Sequence, residues 1–127
     1  MVAVRVLVVD DQEPFRRAIA AVVSETDGFV VVGASSSGEE SLHAVARLRP
    51  DLVLMDVRLP GIDGIEASWR ITQAEKSPVV VLLSTLDAAD LDLSGCGAAG
   101  YLAKAAFGPE QLVATWTAVR PGFRPGF

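Results

Sequence analysis

Asp10 and Asp11 stand side by side after a run of mostly β-branched apolar residues, Asp56 ends a second such run, and Ser84 and Thr85 end a third. Lys104 follows Tyr101-Leu102 by two positions. The runs themselves are almost free of polar groups, so these residues are not random scatter. Three carboxylates brought to one place repel one another, and a cation relieves that repulsion. Clustered carboxylate oxygens suit a hard ion, and Mg²⁺ is the natural choice because it takes a few carboxylates and completes its shell with water. A lysine and a hydroxyl beside such an ion make a phosphoryl site. The metal and Lys104 would neutralise phosphoryl oxygens, and a carboxylate would be the nucleophile.

Those residues share a site only if the chain carries them to one edge of a fold. The run from Val2 to Val9 reads as a strand covered on both faces. Phe15, Ala18, Ile19 and Val22 follow at helical spacing, with Pro14 near the start and Gly28 beyond the end. Phe29 to Ala34 is a second strand. Ser37-Gly-Glu-Glu40 has the form of a capping box and opens a helix to about Arg49, stopped by Pro50. Asp51 to Asp56 is a third strand, and Leu59-Pro-Gly-Ile-Asp-Gly64 is turn chemistry. A third helix carries Ile65 and Trp69, and Pro78 to Leu83 is a fourth strand. Tyr101-Leu102 is a short fifth strand, and Pro109 opens a last helix with Leu112, Trp116 and Val119 on one face. Alternating strands and helices predict an α/β fold, a doubly wound five-stranded parallel sheet with helices on both faces. The segment Asp87 to Gly97 has little apolar periodicity, so the fourth helix is expected to be short or irregular. In such a sheet the working groups lie at the carboxyl ends of the strands, near the point where chain direction reverses.

The chain has 127 residues, which fits one domain with a substantial core. Sixteen acidic residues against eleven basic ones give a net charge of −5, which argues against direct nucleic-acid binding. A single cysteine, Cys96, excludes an internal disulfide and a CxxC metal site, and is read as inert and packed. The apolar start is too short, and too soon followed by Asp10-Asp11, for a signal peptide or a membrane span. A cytoplasmic location is the expectation.

With Asp10-Asp11, Asp56 inside Met-Asp-Val-Arg-Leu-Pro-Gly-Ile-Asp-Gly64, Ser84, Tyr101 and Lys104 in this order, the chain resembles the receiver domain of two-component response regulators from about residue 3 to 119. The resemblance implies the flavodoxin-like strand order 2-1-3-4-5. It implies that Asp56 is the phosphoacceptor, and that Asp10, Asp11, Asp56 and the backbone carbonyl of Arg58 hold Mg²⁺. Lys104 would pair with Asp56 and then with the phosphoryl group, and Ser84 would hydrogen-bond a phosphoryl oxygen. Tyr101 would be the aromatic switch that moves inward with Ser84. Arg58 and Leu86, two positions beyond Asp56 and Ser84, would tune the lifetime of the phosphoryl group, and neither is an obvious base for activating water. The partners implied are a sensor histidine kinase and a second copy or an effector, met through the face of helix four, strand five and helix five. Asp-Asp-Gln-Glu-Pro-Phe-Arg-Arg17 resembles the start of receivers that precede helix-turn-helix effectors, and no such effector is present in these residues.

Two features depart from the pattern. Ala105 follows Lys104 where the family usually has a proline with a cis bond, and a cis bond before a non-proline costs about 2.5–4 kcal/mol. The span from Ser84 to Lys104 is also slightly short. Other residues have plainer readings. Asp10 and Asp11 are also suited to capping a helix. Thr85 competes with Ser84, His43 is read as solvated surface, and Trp69 as core or half-buried surface. Trp116 is read in the same way, or as an exposed partner anchor. Residues 1–119 are expected to form the receiver domain and 120–127, which repeat Arg-Pro-Gly-Phe, a flexible tail. Three rivals remain beside the phosphoacceptor reading. One is a degenerate receiver that binds partners without phosphorylation. Another is an Asp-x-Asp phosphatase, for which Arg58 stands where the second acid is needed. The third is a flavin or nucleotide binder, for which no glycine-rich phosphate loop exists.

Overall fold

The computed structural model describes residues 2–85 and 92–121. Five strands, β1 (Val4–Val9), β2 (Phe29–Ser35), β3 (Leu52–Asp56), β4 (Val79–Ser84) and β5 (Gly100–Ala103), form one sheet in the order β2-β1-β3-β4-β5. All four pairings are parallel. Among the described residues there are four α-helices: α1 (Glu13–Ser24), α2 (Gly38–Leu48), α3 (Gly64–Thr72) and α4 (Pro109–Val119). This is the doubly wound sheet expected from the alternating pattern, in the flavodoxin-like order that the resemblance implies. The chain steps outward from β1 to β2, then crosses to β3 on the other side of β1, so the connections diverge above β1 and β3.

Alternate residues of each strand face opposite layers. Leu7, Val9, Val53, Met55, Val80 and Leu82 pack under α2 and α3 with Ala44, Ala67 and Ile71. Val6, Val8, Leu52, Leu54, Val81 and Leu83 pack under α1 and α4 with Ile19, Val23 and Leu112. β1, β3 and β4 are covered on both faces, which is why they read as continuous apolar runs.

The helix ends follow local chemistry. Ser37 accepts from the Glu40 N–H at 3.1 Å, and Glu40 returns a bond to the N–H of Ser36 rather than to that of Ser37. Arg49 closes α2 in the left-handed conformation, at φ 49°, before Pro50. Asp63 caps α3 by accepting the Glu66 N–H at 2.8 Å.

Two expectations need correction. The buried face of α1 is Ile19 and Val23, not a stripe that includes Phe15 and Ala18. The first turn of α1 stands beyond the carboxyl ends of the strands, where Phe15 has no sheet beneath it and stays 40% exposed. Trp69 is likewise 47% exposed, because α3 turns Ala67, Ser68 and Ile71 inward instead. Trp116 is half-buried against the α1–α4 layer, His43 is exposed, and Cys96 is buried in the α2–α3 layer.

Of the segment Asp87 to Gly97, residues 87–91 lie outside the described residues. Residues 92–99 form turns, with Gly95 and Gly97 at positive φ, and no helix. Ser68 on α3 anchors this stretch by donating to the Cys96 carbonyl at 3.0 Å. The helix after β5 is therefore α4. Of the tail, residues 122–127 lie outside the described residues.

Candidate functional site

β1 ends at Val9, and Asp10 follows it fully buried. Its Oδ1 accepts the N–H of Gln12 at 2.9 Å, the local turn an aspartate favours. That turn starts α1, whose N-cap Gln12 makes no side-chain cap of its own. Arg16, one turn into α1, donates back to the Asp10 carbonyl at 2.9 Å. Asp11 is exposed. Asp56 is the last residue of β3, buried at 6% exposure, with its Oδ1 accepting the Arg58 N–H at 3.3 Å. Because β1 and β3 are neighbours in the sheet, Asp10 and Asp56 flank one crevice. Oxygen atoms of Asp10, Asp11 and Asp56 all lie within 4.8 Å of one another.

Lys104 enters from the far end of the sheet. β5 runs into a 3₁₀ turn, Lys104–Ala106, that ends the strand and turns the lysine back over the edge. Its Nζ lies 2.7 Å from Asp10 Oδ2 and 3.2 Å from Asp56 Oδ2. The closer partner is thus Asp10, not the Asp56 singled out by the family pattern. No peptide bond among the described residues is cis, so the bond from Lys104 to Ala105 is trans.

Burial pushes the Asp56 carboxyl above its ordinary range. The Lys104 ammonium opposes that rise and the Asp10 carboxylate adds to it. Asp10 Oδ2 is buried with no hydrogen bond aligned on it, although Lys104 sits at ion-pair distance. An oxygen with unused acceptor capacity, two further carboxylates within reach and one exposed member of the set fit a small hard cation that keeps some of its water.

Ser84 closes β4 almost fully buried, opposite Ala103 in register, whereas Thr85 is exposed. Tyr101 is half-buried on β5, opposite Leu82, against the α2–α3 layer. The structure therefore brings Asp10, Asp11, Asp56 and Lys104 together, with Ser84 at the adjacent strand end and Tyr101 three residues before the lysine. Arg58 is exposed and enters the site through its backbone. Leu86 lies outside the described residues.

Three contributors were not legible as site residues in the sequence. They are the Gln12 amide, the Arg16 guanidinium and the Phe15 ring, which lies 4.3 Å from Lys104 Nζ. The aspartate turn signals the first. Nothing in helical periodicity signals the other two.

No helix among the described residues is long and apolar enough to cross a membrane. Residues 6–117 match the model of the response regulator receiver domain. The chain is 43% identical over 113 residues to the response regulator GacA of Pseudomonas viridiflava, covering 87% of this chain and 53% of that protein. It is 37% identical over 117 residues to a positive alginate biosynthesis regulatory protein of Pseudomonas aeruginosa, covering 91% and 47%. The chain thus spans about half the length of these curated relatives. Among solved structures it is similar to the signal receiver domain of the response regulator NarL from Mycobacterium tuberculosis, with TM-score 0.82 and 28% identity over 90% of this chain and 96% of that one. It is also similar to the response regulator domain of CheB from Thermotoga maritima, with TM-score 0.78, 27% identity, and coverage of 92% and 96%. A buried aspartate pair facing a lysine across the β1–β3 crevice, the strand order and these similarities agree, and the chain belongs to the response regulator receiver domain family.

Proposed function

We propose that this chain is a phosphoacceptor: it takes a phosphoryl group from the phosphohistidine of a sensor histidine kinase onto Asp56, with Mg²⁺. The observation that carries the reading is the convergence of Asp10, Asp11, Asp56 and Lys104 at one strand edge. An Asp56 oxygen forms a bond to phosphorus as the phosphorus–imidazole nitrogen bond breaks, and the imidazole keeps the electron pair. Asp10, Asp11, Asp56 and the Arg58 carbonyl hold the ion, which supplies charge neutralisation for the carboxylates and the incoming oxygens. Lys104 supplies the second positive charge, and Ser84 donates a hydrogen bond to a phosphoryl oxygen. The raised proton affinity of Asp56, caused first by burial, supports a cation beside the nucleophile.

The reaction modifies the chain itself, so this is acceptance and slow release rather than turnover. Arg58 and Leu86 tune the lifetime, and neither side chain activates water. The readout is a shift of the β5 edge through Ser84 and Tyr101, a local electrostatic change that biases a two-state element. Residues 1–119 form the receiver. Its partners are the kinase and either a second copy or an effector met through β5 and its flanking segments. A cytoplasmic place follows from such a kinase partner.

Intact mass after incubation with a small phosphodonor tests this. One added phosphoryl group is expected with Mg²⁺, little without it, and none in Asp56→Asn. A full-level addition in Asp56→Asn ends the assignment. No addition to the wild-type chain assigns it instead to the receivers that bind partners without phosphorylation.

A further inference from the structure

Lys104 is held from one side by two carboxylates that pull along different lines, Asp10 at 2.7 Å and Asp56 at 3.2 Å. A lysine is a strongly hydrated point charge on a flexible stem, so attraction to two acceptors does not alone give it one position. Against the same ammonium lies the ring of Phe15, with Nζ 4.3 Å from the ring centroid. The face of an aromatic ring carries negative charge density and attracts a cation at this range. Phe15 contributes to neither core layer and is 40% exposed. Its place is nonetheless determined. Asp10 Oδ1 holds the Gln12 amide and Arg16 reaches back to the Asp10 carbonyl, so residues 12–16 wrap around Asp10 with Phe15 between the two anchors. One buried aspartate is thereby both the nearer ion-pair partner of Lys104 and the anchor of the turn that carries the ring against it.

We propose that Phe15 is a positioning residue of this site, whose ring holds the Lys104 ammonium toward the carboxylates by a cation–π contact and keeps water from its outer side. The role rests on the phosphoacceptor reading. A lysine held in this way has its charge ready where the oxygens of the transferred group gather, instead of turning out to solvent. Phe15→Leu keeps an apolar side chain but removes the ring, and Phe15→Tyr keeps the ring. Exposure at the rim leaves room for either change without disturbing the core.

Two readouts test the role. The chain has only two lysines, Lys76 and Lys104, and Lys76 is exposed. The side-chain NMR signals of Lys104 are therefore separable, and ring current should shift them upfield in the wild type and in Phe15→Tyr but not in Phe15→Leu. At saturating Mg²⁺, Phe15→Leu should accept a phosphoryl group from a small phosphodonor about threefold to tenfold more slowly, and Phe15→Tyr within about twofold of the wild type. Phe15→Leu at the wild-type rate overturns the role, as does Phe15→Tyr as slow as Phe15→Leu. A wild-type Lys104 without the upfield shift also overturns it. A wild-type chain that takes no phosphoryl group overturns the phosphoacceptor reading and this role with it. Phosphorylation of Phe15→Leu at full rate removes the role alone.

Discussion

The two oxygens of Asp10 do different work. Oδ1 is spent on the turn that begins α1, so the plain reading of this residue as a helix-start aspartate is half of the truth. Oδ2 faces Lys104 and has no aligned hydrogen bond. Asp56 is divided in the same manner, with Oδ1 on the Arg58 amide and Oδ2 toward the lysine. Its raised proton affinity has a consequence for stability. Between the unfolded-state value near 3.8 and the higher folded value, the folded chain binds more protons than the unfolded one, so stability from this group falls as pH rises. Below that window Asp56 is neutral in both states and costs nothing extra. Asp56→Asn removes the penalty. Without Mg²⁺ the variant should melt a few degrees above the wild type at pH 7, with the gap closing as pH falls below the ordinary carboxylate range. Mg²⁺ should raise the wild-type midpoint more than that of the variant, because a ligand stabilises in proportion to its affinity for the folded chain. A gap that stays constant with pH would sink this account.

At the scale of elements, the site depends on how closely α3 approaches β3. Gly64 starts α3, and a Cβ placed on it would lie 2.1 Å from the Asp56 carbonyl oxygen and 2.9 Å from the Val57 Cα. Both are backbone atoms and have no rotamer with which to yield. The turn before it is held from the α2 side, where Glu39 accepts the Ile62 amide at 3.2 Å. Gly64→Ala should therefore cost about 1–3 kcal/mol of stability and also displace Asp56. Thermal melting and the phosphorylation rate at a temperature where the variant is folded read the two effects separately. An unchanged rate in the folded variant would show that Asp56 tolerates the shift. As a comparison, Asp63→Ala, which loses the α3 cap without crowding β3, should cost about 1 kcal/mol and leave the rate near normal.

On the scale of the whole molecule, the strand order places β1 and β3 at the centre and β5 at an edge. Asp56 ends the central strand, and Lys104 follows the strand with a neighbour on one side only. On the phosphoacceptor reading, a charge change at Asp56 would reach the edge of the sheet through Lys104. Beryllofluoride with Mg²⁺, a mimic of the phosphoryl group, should shift the NMR signals of Tyr101 and Leu102 on β5 while leaving those of β2, at the far edge, nearly unchanged. In Lys104→Ala the Mg²⁺ affinity should persist and the β5 response should be lost. A β5 response of wild-type size in that variant would disprove the lysine's part in it.

The sequence by itself determined the sheet, its parallel sense and most of the site. Strands buried on both faces must be apolar throughout, so Asp10, Asp56 and Ser84 stand out against Val, Leu and Met at the strand ends. The cap at Ser37 was legible for a related reason, since the donor it satisfies lies three residues away in the same stretch of chain. Only the tertiary structure decided that Lys104 sits closer to Asp10 than to Asp56, because that choice depends on where the turn after β5 aims a flexible side chain. The same holds for Phe15 and Trp69. Helical periodicity states which residues share a face, but not whether a sheet lies beneath that face. At the first turn of α1 the neighbour is a lysine from the turn after β5, nearly ninety residues away in the chain. Contacts of that kind are set by how layers stack, and no local pattern encodes them.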